Sequence, residues 1–78
     1  MNTLNIIQNI FRDIIDDCAL VLSIESTPDD IEAWDSLAHI NIIAACEEEF
    51  GVKFDIREIT SIKGVDDLVQ TIERKIEQ

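Results

Sequence analysis

Breakers and basic side chains are what this sequence has least of. Two glycines and one proline, set against 46% hydrophobic residues, make a chain of 78 residues too apolar and too poor in breakers to stay disordered throughout. It is expected to fold as one small domain spanning residues 1–78, with a modest core and no deep enclosed active site. Six basic side chains face 17 acidic ones, a formal net charge of −11. Such a charge repels polyphosphate backbones and anionic lipid surfaces, which argues against a nucleic-acid partner. It suits instead a soluble, monomeric protein met and released by enzymes with basic docking patches. With one histidine, and with Cys18 and Cys46 outside any CxxC pair, neither a zinc site nor a redox motif is indicated. Both cysteines are expected to be reduced, buried packing residues. The spaced acidic ligands and central glycine of a calcium loop are missing too. No apolar run reaches membrane-spanning length, and the N-terminus has neither a basic leading segment nor a long apolar core, so the expected location is the cytoplasm.

Alternating strand patterns are absent as well, and what the sequence does contain is helical periodicity. From Leu4 to Asp17, the residues Ile7, Ile10, Phe11, Ile14 and Cys18 recur at three- and four-residue steps, with Asn2 or Thr3 as N-cap and Arg12, Asp13, Asp16 and Asp17 on the solvated face. A long connection from Leu20 to Asp35 follows. Its Thr27-Pro28-Asp29-Asp30 has the cap, first-turn proline and acidic third position of a short helical turn. Val21, Leu22, Ile24 and Ile31 give this loop something to bury, Ile31 foremost, and Trp34 is expected to pack on the core. Asp35 then caps an uninterrupted run from Ser36 to Phe50, which Gly51 ends. Asp55 caps a short helix to Thr60 with Ile56 and Ile59 turned inward. A last helix starts near Gly64 with Val65, Leu68, Val69, Ile72 and Ile76 as its buried stripe. The expected fold is all-α, a compact four-helix bundle of three longer helices and one short one, with a long ordered loop after the first helix. Ile42, Cys46, Phe50, Leu68 and Ile72 are its expected core.

The chemistry concentrates in Ile31-Glu32-Ala33-Trp34-Asp35-Ser36-Leu37-Ala38-His39-Ile40, where a serine between aspartate and leucine opens a helix directly after a long loop. A primary hydroxyl in a first helical turn is exposed, and a phosphate ester there gains about 0.3–1 kcal/mol from the helix dipole, partly offset by Asp35. Asp35-Ser36-Leu37 resembles the modification motif of acyl carrier proteins. So do the helix ending Glu47-Glu48-Glu49-Phe50-Gly51, Phe54, and the final helix start Gly64-Val65-Asp66-Asp67-Leu68-Val69, so that the resemblance covers nearly the whole chain. It implies a phosphopantetheine joined to Ser36 through a phosphodiester, installed from coenzyme A by a phosphopantetheinyl transferase. It further implies a non-catalytic protein that presents acyl groups, as thioesters on this arm, to loading and transferring enzymes.

A Ser36–His39 nucleophile pair is rejected, because no orienting acid or oxyanion pocket accompanies it. His39 is read as a surface residue contacting the arm or a partner. Asp35, Leu37, Glu47 and Glu48 are the other expected partner contacts. Carriers of fatty-acid synthesis commonly present carboxylates just after the modified serine, where this chain has Ala38, His39 and Asn41. That departure points to a specialised lipid, polyketide or envelope pathway. A D-alanyl or other aminoacyl carrier is the near alternative, and an acidic helical interaction module without a prosthetic group is the alternative of another class.

Overall fold

The computed structural model describes residues 2–77 and contains four helices: α1 (Thr3–Ile15), α2 (Ser36–Phe50), α3 (Ile56–Ser61) and α4 (Val65–Ile76). Local cap chemistry sets most of these boundaries. Asn2 Oδ1 accepts from Asn5 N–H at 3.1 Å at the start of α1. Asp55 and Glu58 exchange side-chain and backbone bonds in a reciprocal capping box at the start of α3. At the end of α2, Gly51 takes φ +66°, a left-handed turn that glycine adopts without steric cost. Gly64 is required for another reason: a Cβ at this position would lie 3.0 Å from the Ser26 carbonyl oxygen, which accepts from Val65 N–H at 2.9 Å. That contact ties the loop to the first turn of α4.

α1 packs against both α2 and α4. Ile7 and Phe11 of α1, Ile42, Ile43 and Cys46 of α2, and Val65, Leu68 and Ile72 of α4 are essentially inaccessible and form the core. The radius of gyration, 11.4 Å, matches the value of about 11.5 Å for a compact chain of this length. The helical bundle and its four elements fall where the sequence places them. No helix among the described residues is long and apolar enough to cross a membrane.

Several side chains lie elsewhere than expected. α1 stops at Ile15 because Asp16 turns the chain left-handed, at φ 63°, and both Asp16 and Asp17 N–H donate back to the Arg12 carbonyl. Cys18 therefore leaves the helical stripe and is exposed, while Cys46 is fully buried. Ile56, expected inward, is 75% exposed, since α3 is one short turn-and-a-half with no buried residue, and Ile76 in the final turn of α4 is 40% exposed. Phe50 is only half-buried. In the loop, the buried anchors are Leu22 and Trp34 rather than Ile31, and Val21 and Ile24 face outward. The loop backbone is held from α1: Gln8 Oε1 accepts from Leu22 N–H at 2.8 Å, and Arg12 Nε donates to the Leu20 carbonyl at 2.7 Å. Thr27–Asp30 does form the expected turn, in which Asp30 Oδ2 accepts from Thr27 N–H while Asp30 and Ile31 N–H donate to the Thr27 carbonyl.

Candidate functional site

Ser36 is the first residue of α2 and is exposed. Asp35 Oδ1 accepts from Ala38 N–H at 2.8 Å and fixes the chain direction at this point. No acidic side chain lies in the first turn of α2. A negatively charged substituent on Ser36 would thus meet the helix N-terminus with only the capping carboxylate opposing it.

Trp34, just before the cap, is 3% exposed and stands edge-on to Phe11, with ring centroids 4.8 Å apart at 87°. Its indole N–H donates to His39 Nδ1 at 3.1 Å, and the two rings lie 5.9 Å apart. An indole nitrogen only donates, so Nδ1 must be the acceptor and Nε2 carries the proton, which it donates to the Ile59 carbonyl at 2.9 Å. Trp34 and His39 occupy the positions flanking a cap at which a hydrophobic staple forms. Here the staple continues through its imidazole to α3. Recognising an aromatic residue just before Asp35 and an imidazole four residues into the helix would have revealed the pairing, but not its reach to Ile59.

The bridge corrects the reading of His39. It is half-buried with both ring nitrogens committed, so it is not an open surface residue and has no free nitrogen to activate Ser36. Glu47, expected among the partner contacts, is half-buried, and its Oε2 accepts from Phe54 N–H at 2.7 Å, fastening the chain after α2. Leu37, 70% exposed, and Glu48 are open to solvent, as is Asp35. A groove of about 470 Å³ adjoins Ser36, with Pro28, Trp34, His39, Ile40, Ile59 and Ile62 in its walls. Sequence reasoning had found neither the groove nor the contribution of Pro28, Ile59 and Ile62. A separate recess around Cys18 is rimmed by Arg12, Asp13, Asp16 and Glu49 and does not include Ser36. Among the described residues there is no cluster of His, Cys, Asp or Glu suited to a metal ion. Burial, with the Glu47 carboxylate second, pushes the Cys46 thiol up to about 12, which leaves it inert.

Residues 6–72 match the family model described as the phosphopantetheine attachment site. The solution structure of a holo acyl carrier protein from Geobacter metallireducens superposes with a TM-score of 0.89 at 39% identity, covering 99% of this chain and 88% of that one. No curated protein matches the sequence. Taken with the helical architecture and the exposed serine that opens α2, these matches show that the chain belongs to the acyl carrier protein family, whose members bear a covalently attached phosphopantetheine.

Proposed function

We propose that Ser36 is the attachment point of the phosphopantetheine arm and that the protein is a non-catalytic carrier of acyl groups. The observation that carries this reading is the position of Ser36, an exposed hydroxyl at a capped helix N-terminus beside an apolar groove, with no carboxylate in the turn that follows. The residues present suit the group: the α2 N-terminus favours its phosphate, and the groove offers apolar cover next to the attachment atom. When attached, the arm supplies a terminal thiol that holds an acyl group as a thioester. The chain's own part is to present that arm and to be recognised, while reaction chemistry resides in its partners. The commitment of both His39 nitrogens supports a carrier over a hydrolase.

The neutral surface after Ser36, with Ala38, Ile40 and Asn41, supports a dedicated partner set in a specialised lipid, polyketide or envelope pathway rather than general fatty-acid synthesis. The test is incubation with coenzyme A and a phosphopantetheinyl transferase. The mass should rise by one phosphopantetheine, and Ser36→Ala should abolish the rise. No gain with several competent transferases would favour an interaction module without a prosthetic group, and a gain that persisted in Ser36→Ala would move the site elsewhere. Intact-mass analysis of protein from its native cell separates an acyl from an aminoacyl cargo.

A further inference from the structure

We propose that His39 is a specificity-determining residue, which holds α3 against α2 and so keeps cargo beside Ser36 shallow and short. This rests on Ser36 as the attachment point. Cargo leaving Ser36 meets the adjoining groove first, and that groove stops short of Ile42, Leu68 and Ile72, which are fully buried in the core. A longer chain gains cover only if an element moves. α3 is the weakest-held candidate: it has six residues and none is buried.

The His39–Ile59 bond opposes that movement. Ile59 lies in the last turn of α3, where carbonyls lack an intrahelical partner. Lys63 N–H, four residues on, donates to Asp67 Oδ2 at 2.9 Å instead, and His39 Nε2–H supplies the missing donor at 2.9 Å. Trp34 fixes the tautomer that makes this donation possible. Separating α3 from α2 leaves the Ile59 carbonyl without that donor, so opening the groove disrupts the cap of α3 at the same moment. A second polar tie, Lys75 to Glu58 at 2.8 Å, joins α3 to α4 and does not close the gap to α2, and Ile59 adds a half-buried apolar contact with the core.

The experiment loads the arm with acetyl, butyryl or octanoyl groups and follows cleavage of the thioester by hydroxylamine, alongside amide exchange in α3 and the Trp34 indole N–H resonance. In the wild type, octanoyl should be cleaved nearly as fast as acetyl. In His39→Ala, it should be cleaved up to about ten-fold more slowly, the shift expected from losing one hydrogen bond that opposes burial, while acetyl is unaffected. His39→Gln, which has an acceptor for Trp34 and a donor for Ile59, should restore wild-type behaviour. Trp34→Phe, which removes the indole N–H together with part of the buried ring system but keeps His39, should give a smaller shift in the same direction and serves if His39→Ala does not fold. A change independent of chain length, or none with octanoyl, would overturn the proposal. Failure of Ser36 to accept an arm would instead refute the attachment reading. Free octanoyl-pantetheine titrated onto unmodified protein then tests His39 alone: the Trp34 resonance should shift at lower concentration in His39→Ala, and identical titrations would overturn the role.

Discussion

Truncating Phe11 and Phe50 to alanine separates a true core aromatic from one that the helical period alone would rank equal to it. Phe11 is fully buried and meets Trp34 edge-on at 4.8 Å. Phe11→Ala should cost about 3–5 kcal/mol, of which roughly 0.5–1.5 kcal/mol belongs to the aromatic pair. For 78 residues, total stability on the order of 4–12 kcal/mol is expected, so this one change removes a quarter of it or more. At about 4–8 °C per kcal/mol, the melting temperature should fall by at least ~12 °C. Phe50 is half-buried, and Phe50→Ala should cost roughly half as much, about 1.5–2.5 kcal/mol. Urea unfolding followed by helical circular dichroism measures both without relying on Trp34 emission, which Phe11→Ala will itself alter. Equal losses for the two variants, or a loss below about 1 kcal/mol for Phe11→Ala, would refute the packing described for α1 and the loop.

The two cysteines should behave as opposites. Cys18 should react with a thiol reagent in native buffer and Cys46 only on unfolding, because raising its value from 9.0 to about 12 lowers the thiolate population about 1,000-fold over most of the pH range, apart from the lack of access. The sign for stability follows: the folded chain holds this proton more tightly, so the contribution is complete below pH 9 and lost as pH rises towards 12. Glu58 has the opposite sense. The hydrogen bond from Lys75, and then that from the Asp55 backbone, hold its carboxyl below the ordinary 4.5, so its contribution is present above pH 4.5 and lost as pH falls through the lowered folded value. Urea midpoints of Glu58→Gln and wild type should differ at neutral pH and converge in acid, and a gap constant across that range would contradict the ion pair.

What could be read in the sequence is what local chemistry decides. Asn2, Asp35, Asp55 and Gly51 bound their helices as expected because a cap is made within four residues of chain. Periodicity found the buried faces of α1 and α4 but not where each face ends, which is why Cys18 and Ile76 were placed inside. A period identifies a side of a helix, whereas burial requires another element opposite, and neither the turn after Asp16 nor the last turn of α4 has enough cover. The bonds from Gln8 and Arg12 to the loop join residues 14 and 8 positions apart, so no local pattern announces them. The position of Ser36 at the exposed start of α2 was legible because cap, serine and helix start are contiguous. His39 was visible as a residue and opaque as a bridge, since its second partner, Ile59, lies 20 positions away.

The scarcity of bases bears on how the proposed carrier meets its partners. Four of the six engage the fold itself: Arg12 bonds the Leu20 carbonyl, Lys63 that of Thr60, Arg74 the Thr71 hydroxyl, and Lys75 the Glu58 carboxylate while lying 5.3 Å from the Phe54 ring centre. α2 contains none. Along its open face run Leu37, Asn41, Ala44 and Glu48, all exposed and spaced as one helical stripe, with exposed Ile40 beside Leu37. Asp35 and Glu48 are separated by about 20 Å of helix, well over the ~8–10 Å screening length of physiological salt. Each end therefore attracts cations on its own, and the surface between them offers an enzyme apolar contact without charge. For the proposed carrier, steering should then depend on the whole charge of −11 and weaken with salt, whereas discrimination among partners is expected to rest on Leu37 and Ile40, whose contacts salt does not screen.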